Sequence, residues 1–166
     1  PPQSPAKFAI MLKDGVNDGS IKFTQKGDVD LVAKIYERAF LDEMSGMQEL
    51  HVATLDWGDE EMSILAAAFQ FAHENNSLSS LTSIDLSGNK IGNSGLMAIA
   101  QCFTDGMLGS VTNLELWDNQ IGDTGIVEFC TACTRGALGQ LEFLHLSYNK
   151  IGDAGAQALA AVILSS

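Results

Sequence analysis

One hydrophobic pattern recurs along this chain at a fixed interval. Three copies begin at Leu81, Val111 and Leu141, so the interval is 30 residues, and they align without gaps. Each follows L-x-x-L-x-L-x-x-N-x-I-G, with Val or Ile at some leucine positions. A weaker copy begins at Met47, 34 residues before Leu81, and has Leu55 where the others have Asn. Such a period predicts a repeat architecture in which each copy forms one structural unit.

Each copy predicts a short strand followed by a helix. Alternate residues such as Ile84 and Leu86 are apolar, as expected for a strand with one buried face. Apolar residues then recur at i, i+3, i+4 and i+7, which places them on one face of a helix. Because one such unit cannot bury its apolar side alone, stacked units must share a core. The four helical sets are Met62, Leu65, Ala66 and Phe69; Leu96, Ile99, Ala100 and Phe103; Ile126, Phe129, Cys130 and Cys133; and Ala156, Leu159, Ala160 and Ile163.

An asparagine and a glycine follow each of the three clear strands. Asn89, Asn119 and Asn149 stand where the chain must bend away from the strand. A buried amide at this point can bond the backbone groups that the turn leaves unpaired. The glycine three residues later suits a tight backbone turn.

The pattern L-x-x-L-x-L-x-x-N-x-I-G resembles the leucine-rich repeat. The length of the copies and the Gly-x-x-Gly that follows are similar to the ribonuclease-inhibitor-type subfamily, which includes the repeats of the Ran GTPase-activating protein and of NOD-like receptors. The resemblance covers residues 47–166 and implies a right-handed α/β horseshoe arc, a solenoid with a parallel sheet inside and helices outside. It also implies that Asn89, Asn119 and Asn149 form the asparagine ladder of such repeats, and that a partner binds on the concave sheet.

The chain divides into an N-terminal extension and four repeats. The extension, with a capping helix, is residues 1–46, and the repeats are 47–80, 81–110, 111–140 and 141–166. Asp28 begins a predicted amphipathic helix to Met44 that covers the open edge of the core. The apolar side of this helix is Val32, Ile35, Tyr36, Ala39 and Phe40. No polar capping repeat follows the last copy, so we expect further repeats or a docked partner there.

The start of the extension predicts a β-hairpin. Phe8, Ile10 and Leu12 alternate, as do Ile21 and Phe23, with the turn-forming Asn-Asp-Gly at residues 17–19 between them. Residues 14–25 also loosely match an EF-hand calcium loop. Their third and twelfth positions are Val16 and Gln25, which supply no carboxylate, so a plain turn is the favoured interpretation.

Charge and cysteine content restrict the classes of function. The net charge of −12 disfavours binding to nucleic acid or to anionic membranes and favours a partner with a basic surface. No apolar run approaches the roughly 20 residues that span a bilayer. An odd number of cysteines predicts reduced thiols and an intracellular location, cytoplasmic or organellar after loss of a targeting segment. Cys130 and Cys133 form a C-x-x-C without a second ligand pair, so we expect core thiols and no metal or cofactor.

Residues between the core leucines of each strand are predicted to face the concave sheet. Trp117 and Tyr148 are aromatic side chains on adjacent strands with acids around them, the usual composition of an interface hot spot. Cross-strand packing is the competing interpretation of these aromatics. The rows are His51, Asp85, Glu115 and His145; Ala53, Ser87, Trp117 and Ser147; and Thr54, Gly88, Asp118 and Tyr148. The predicted partner-binding residues are Trp117, Tyr148, Asp85, Glu115, Asp118 and His145.

A non-catalytic protein-interaction module is the leading functional hypothesis, and three others compete with it. One is a structural subunit of a large assembly, docked through its ends and helical face. A second is a GTPase regulator, implied only by similarity to the Ran activator, whose family uses many more repeats. A third is an acid–base enzyme using Asp85, Glu115 and His145. It is disfavoured because an open, wet surface shifts pKa values little and because no Ser or Cys nucleophile is expected among these groups.

Overall fold

The computed structural model describes residues 3–23, 28–134 and 139–165, excluding the side chains of residues 133, 134, 163 and 165. Two helices precede four strand–helix units. The helices are α1 (Pro5–Asn17), α2 (Asp28–Gly46), α3 (Asp59–Glu74), α4 (Asn93–Thr104), α5 (Asp123–Thr134) and α6 (Asp153–Ser165). The strands are β1 (Glu49–His51), β2 (Ser83–Asp85), β3 (Asn113–Glu115) and β4 (Phe143–His145).

The four strands form one parallel sheet in chain order, β1-β2-β3-β4. Leu50, Ile84, Leu114 and Leu144 lie in register across it, so every copy contributes the same position of its pattern to the same row. A helix connects each strand to the next one in the sheet, and consecutive helices pack side by side. The predicted α/β solenoid is therefore confirmed, and its sheet is open.

The core lies between the sheet and the helices of the inner coils. In the second and third copies, the leucine positions and the helical faces are almost completely removed from solvent. Burial of each such side chain contributes roughly 1.5–3 kcal/mol. The fully buried residues include Leu81, Ile84, Leu86, Ile91, Leu96 and Ile99 in the second copy, and Leu114, Leu116, Ile121 and Ile126 in the third.

Among the described residues, the fourth coil packs against the third, and its predicted core is partly open. Leu159 is half-buried, while Ala156 and Ala160 are exposed. Ile163, assigned to the same face, is not among the side chains that the structure describes. The helical pattern alone does not distinguish this coil from the inner ones, because burial requires a partner on each side of the coil.

The extra length of the first repeat forms one additional helical turn. Helix α3 has 16 residues, whereas α4 and α5 have 12 each. The added turn contains Phe71, whose ring contacts Phe40 of α2 edge-on at 6.0 Å between centroids. The insertion thus provides a contact that holds α2 against the first coil.

Helix α2 is rotated relative to the face predicted from its pattern. Phe40 and Met44 are buried, and Tyr36 is half-buried one turn before them. Ile35 is 59% exposed and Ala39 is also exposed, so the prediction for these two residues is wrong. The buried residues are spaced at i, i+4 and i+8, which is a narrow stripe along the helix. The stripe is narrow because α2 packs only against the end of the solenoid.

The predicted N-terminal hairpin is wrong, since residues 5–17 form α1. Ser4 caps this helix by accepting a hydrogen bond from the Lys7 backbone amide, and Pro5 occupies the first turn. Phe8 stacks on Tyr36 with 3.9 Å between ring centroids, whereas Ile10 is exposed. Residues 14–17 are helical and therefore do not form an EF-hand loop, whose last position, Gln25, lies outside the described residues.

Asparagine side chains, buried at Asn89 and Asn119 and half-buried at Asn149, link neighbouring coils. Asn119 donates through Nδ2 to the carbonyls of Leu86, Leu116 and Trp117 and accepts through Oδ1 from the Ile91 amide. Asn89 and Asn149 make the corresponding bonds to the coils that precede them. The backbone groups at each bend are thereby paired without water.

A second ladder connects the helix N-termini and was not predicted. The first residues of α3, α4 and α5 accept hydrogen bonds from backbone amides at the start of the next helix. Asp59 Oδ1 accepts from Gly92 at 2.7 Å and Gly95 at 2.9 Å, and Asp123 repeats this arrangement two coils further on with residues 152 and 155. A Cβ on Gly95 would lie 2.7 Å from Asp59 Oδ1, which explains the Gly-x-x-Gly motif.

Two of the three cysteines have described side chains, and both are buried free thiols. Burial raises the pKa of the Cys102 thiol to about 12 and also raises the pKa of Cys130. The side chain of Cys133, the second cysteine of the C-x-x-C, lies outside the described set. Raised thiol pKa values mark Cys102 and Cys130 as unreactive packing residues.

Candidate functional site

The sheet face opposite the helices, here called the concave face, brings the predicted residues into ordered rows. His51, Asp85, Glu115 and His145 are direct neighbours across the four strands. Another row, not considered in the sequence prediction, precedes it by two residues and contains Glu49, Ser83, Asn113 and Phe143. The same alternation that predicted the first row applies to this one, so the signal was present in the sequence.

Each histidine of this row contacts an acid on the adjacent strand. Nδ1 of His51 lies 3.8 Å from Asp85 Oδ2, and Nδ1 of His145 lies 3.8 Å from Glu115 Oε2. Nε2 of His51 also lies 3.0 Å from Glu49 Oε2. The hydrogen bond to Glu49 is the largest cause of the raised pKa of His51, and the charges of Glu49 and Asp85 raise it further.

The carboxylate of Asp85 has a fixed orientation. Its Oδ1 accepts a hydrogen bond from the Ser87 backbone amide at 3.0 Å and a short one from the Ser87 hydroxyl. Ser87 is itself buried, so this member of the second predicted row presents little surface to a ligand. Its contribution to the site is to position Asp85.

Aromatic rings gather at the β3–β4 side of the concave face. The ring centroids of Trp117 and His145 are 6.2 Å apart, and those of Phe143 and His145 are 6.1 Å apart. Phe143 is 51% exposed and was missed by the sequence prediction. Trp117 is half-buried, which agrees in part with the packing interpretation.

Tyr148 lies on the turn that follows β4 and is 81% exposed. The turn row Thr54, Gly88, Asp118 and Tyr148 has positive φ throughout, from 54° to 65°. Asp118 N donates to Ser147 O, so Asp118 and Tyr148 belong to adjacent turns. Positive φ favours glycine, and a tyrosine there is uncommon.

One contact contradicts the expectation that no hydroxyl lies beside the acid–base groups. Ser147 Oγ is 3.1 Å from His145 Nε2, on the opposite side of the ring from Glu115. Ser147 lies two residues after His145, just beyond the end of β4, and Glu49 and His51 have the same spacing within β1. Side chains two residues apart on extended backbone lie on the same face. The hydroxyl is on an open face, and the 3.8 Å between His145 and Glu115 exceeds a hydrogen bond.

The described residues form neither a metal-binding cluster nor a membrane-spanning helix. No group of three or more His, Cys, Asp and Glu side chains there is placed to hold a metal ion. None of the described helices combines the length and the apolar character needed to cross a bilayer.

Comparisons with known proteins identify the repeat. Residues 77–100, 110–130 and 141–160 match the leucine-rich repeat family. No curated protein matches the chain in sequence. Eighteen solved chains match the structure. Among them is leiomodin-1 actin-binding site 2, which is 19% identical over 78% of this chain and 72% of that one, with a TM-score of 0.60. The matched segments and the solenoid that they build support the interpretation of these copies as leucine-rich repeats.

Proposed function

We propose that this protein is a non-catalytic interaction module that binds a protein partner on its concave face. The residues that would contact the partner are Trp117, Tyr148, Asp85, Glu115, Asp118 and His145, to which we add Phe143. A basic partner surface suits the site because the acids would attract and orient it, while the aromatic rings supply contact area.

The observation that carries this proposal is the backbone of Tyr148. A left-handed conformation costs a non-glycine residue roughly 1–2 kcal/mol, and the exposed ring recovers little of this by packing. Gly88 occupies the equivalent turn position two coils earlier, so the fold accepts glycine at this position. An exposed aromatic side chain in an unfavourable conformation indicates a role outside folding.

Two further observations support the same face. The ring centroids of Phe143 and Trp117 lie 6.1 Å and 6.2 Å from that of His145, and Tyr148 is exposed on the turn that follows the same strand. Clustered aromatic rings with acids around them are typical of binding hot spots. The solved structure of similar fold is named for an actin-binding site, so there is a precedent for partner binding by a solenoid of this kind. At 19% identity, that likeness concerns the fold and does not transfer the partner.

The proposal can be tested by combining Trp117→Ala with Tyr148→Gly. Immobilised protein would be exposed to a native cell extract, and captured proteins would be quantified by mass spectrometry. We expect specific capture to fall at least about tenfold, as for loss of two hot-spot side chains. The free energy of unfolding of Tyr148→Gly alone should stay within about 1 kcal/mol of the parent, because glycine removes the backbone strain.

The matched control combines Met97→Ala and Val127→Ala, which remove exposed apolar side chains from the helical face. Capture should be unchanged in this variant. Unchanged capture by the concave variant would reject the proposed site. Loss of capture in the helical-face variant alone would favour a subunit that docks through its helices.

A further inference from the structure

The row at the centre of the concave face has a symmetrical order, with two adjacent acids inside and one base at each end. His51 and His145 are the outer members, and Asp85 and Glu115 are the inner pair. Each inner carboxylate has an imidazole 3.8 Å away on its outer side. The two acids are directly adjacent strand neighbours, so no residue separates their charges along the row.

We infer that this row is a proton-controlled cation site, in which His51 and His145 compete with the positive groups of the partner for Asp85 and Glu115. The inference rests on the proposed function and specifies its regulation. With both imidazoles neutral, the acids are free to receive Lys or Arg side chains. With both protonated, each acid already has a positive neighbour, and affinity falls.

The charges that face the two histidines can be assigned to each element. Glu49 of β1 and Asp85 of β2 face His51, and Glu115 of β3 faces His145. Phe143 of β4 and Ser147, just beyond that strand, also contact His145, and both are uncharged. Protonation of two imidazoles beside three carboxylates changes the local charge from −3 to −1.

The direction of the His51 pKa agrees with this geometry. Glu49 and Asp85 stabilise the protonated ring and raise its pKa above 6.5. The ion pairs contribute to stability below that value and are lost as the pH rises through the raised pKa. A cationic partner on Asp85 would oppose the proton and lower the pKa of His51 in the complex. Binding near neutral pH would therefore release protons.

The test uses a synthetic hexa-arginine peptide as the probe and isothermal titration calorimetry at about pH 8 and about pH 5.5, a range in which imidazoles titrate and carboxylates stay ionised. We expect the peptide to bind about fivefold more weakly at the lower pH. His51→Gln combined with His145→Gln should retain the affinity seen at high pH and lose most of the pH dependence. In NMR titrations of the parent, the midpoint of His51 should fall when the peptide is added.

The variant Asp85→Asn combined with Glu115→Gln identifies the site of binding. Suppose that the peptide binds the parent at high pH and binds this variant more weakly, but that its affinity for the parent does not vary with pH. The proton control is then wrong, and the cation site stands. The same conclusion follows if the double histidine variant keeps the full pH dependence. If this acid variant binds as tightly as the parent, or the parent does not bind at all, both the cation site and its control are rejected.

Discussion

At the scale of single residues, buried polar side chains determine how tightly successive coils are joined. Asn119 makes four hydrogen bonds to backbone groups of its own coil and of the preceding one. Leu55, which replaces Asn in the weaker first copy, is exposed instead and makes no such link through its side chain. The first copy does not need this amide, because α2 covers the first coil in place of a preceding coil.

Asn119→Ala should lower the free energy of unfolding by about 3 kcal/mol, because the Ile91 amide would be left buried without an acceptor. Urea denaturation followed by circular dichroism measures this loss. Gln120→Ala is the control, since this neighbouring side chain is exposed, and its effect should stay within about 0.5 kcal/mol. Equal effects of the two substitutions would show that the amide does not join the coils.

At the scale of elements, hydrogen bonds accepted by the first residues of α3, α4 and α5 connect each of these helices to the next one. Asp123, at the start of α5, accepts hydrogen bonds from the backbone amides of Gly152 and Gly155 at the start of α6. A negative charge near two helix N-termini is favourable because both present positive partial charge. Asn93 holds the same place in α4 and bonds the Gly122 amide at 2.7 Å, so an uncharged amide is also accepted there.

Asp123→Ala should destabilise the protein by about 1–2 kcal/mol, the usual cost of removing a capping acceptor. Asp123→Asn should cost less than half as much, because its carbonyl oxygen can still accept a hydrogen bond as that of Asn93 does. Thermal unfolding of both variants alongside the parent distinguishes them. A larger loss for Asn than for Ala would mean that the oxygen at this position is not what joins α5 to α6.

At the scale of the whole molecule, burial is unevenly distributed along the solenoid. Coils two and three have neighbours on both sides and contain most of the fully buried side chains. Leu144, Leu146 and Ile151 of the fourth coil are only half-buried. Because stability in such arrays is approximately a sum over coils and their interfaces, the fourth coil should open more often than the inner ones.

Amide hydrogen exchange of this chain, followed by mass spectrometry, should show lower protection in residues 141–165 than in 81–130. The inner coils serve as the internal reference, since both regions carry the same repeat. Ligand binding on the concave face should raise protection at β4, because three of the proposed contacts, Phe143, His145 and Tyr148, lie on or beside it. Uniform protection from coil to coil would contradict the unequal burial.

The candidate site combines what the repeat could predict with what it could not. The rows on the concave face followed from strand alternation and equal spacing, which are local properties of the chain. The contact between Ser147 and His145 and the positive φ of Tyr148 depend on how the turn and strand are held. Their place on the sheet was predictable, but their conformation was not.

The sequence by itself determined the repeating unit, the parallel sheet and the position of each core leucine, because three gapless copies impose one geometry on all of them. Tertiary structure decided the rest. It made residues 5–17 a helix, turned Ile35 outward, and lengthened α3 by a turn that contacts Phe40. These segments have no second copy with which to be aligned. Their conformation therefore depends on which surface of the first coil remains to be covered.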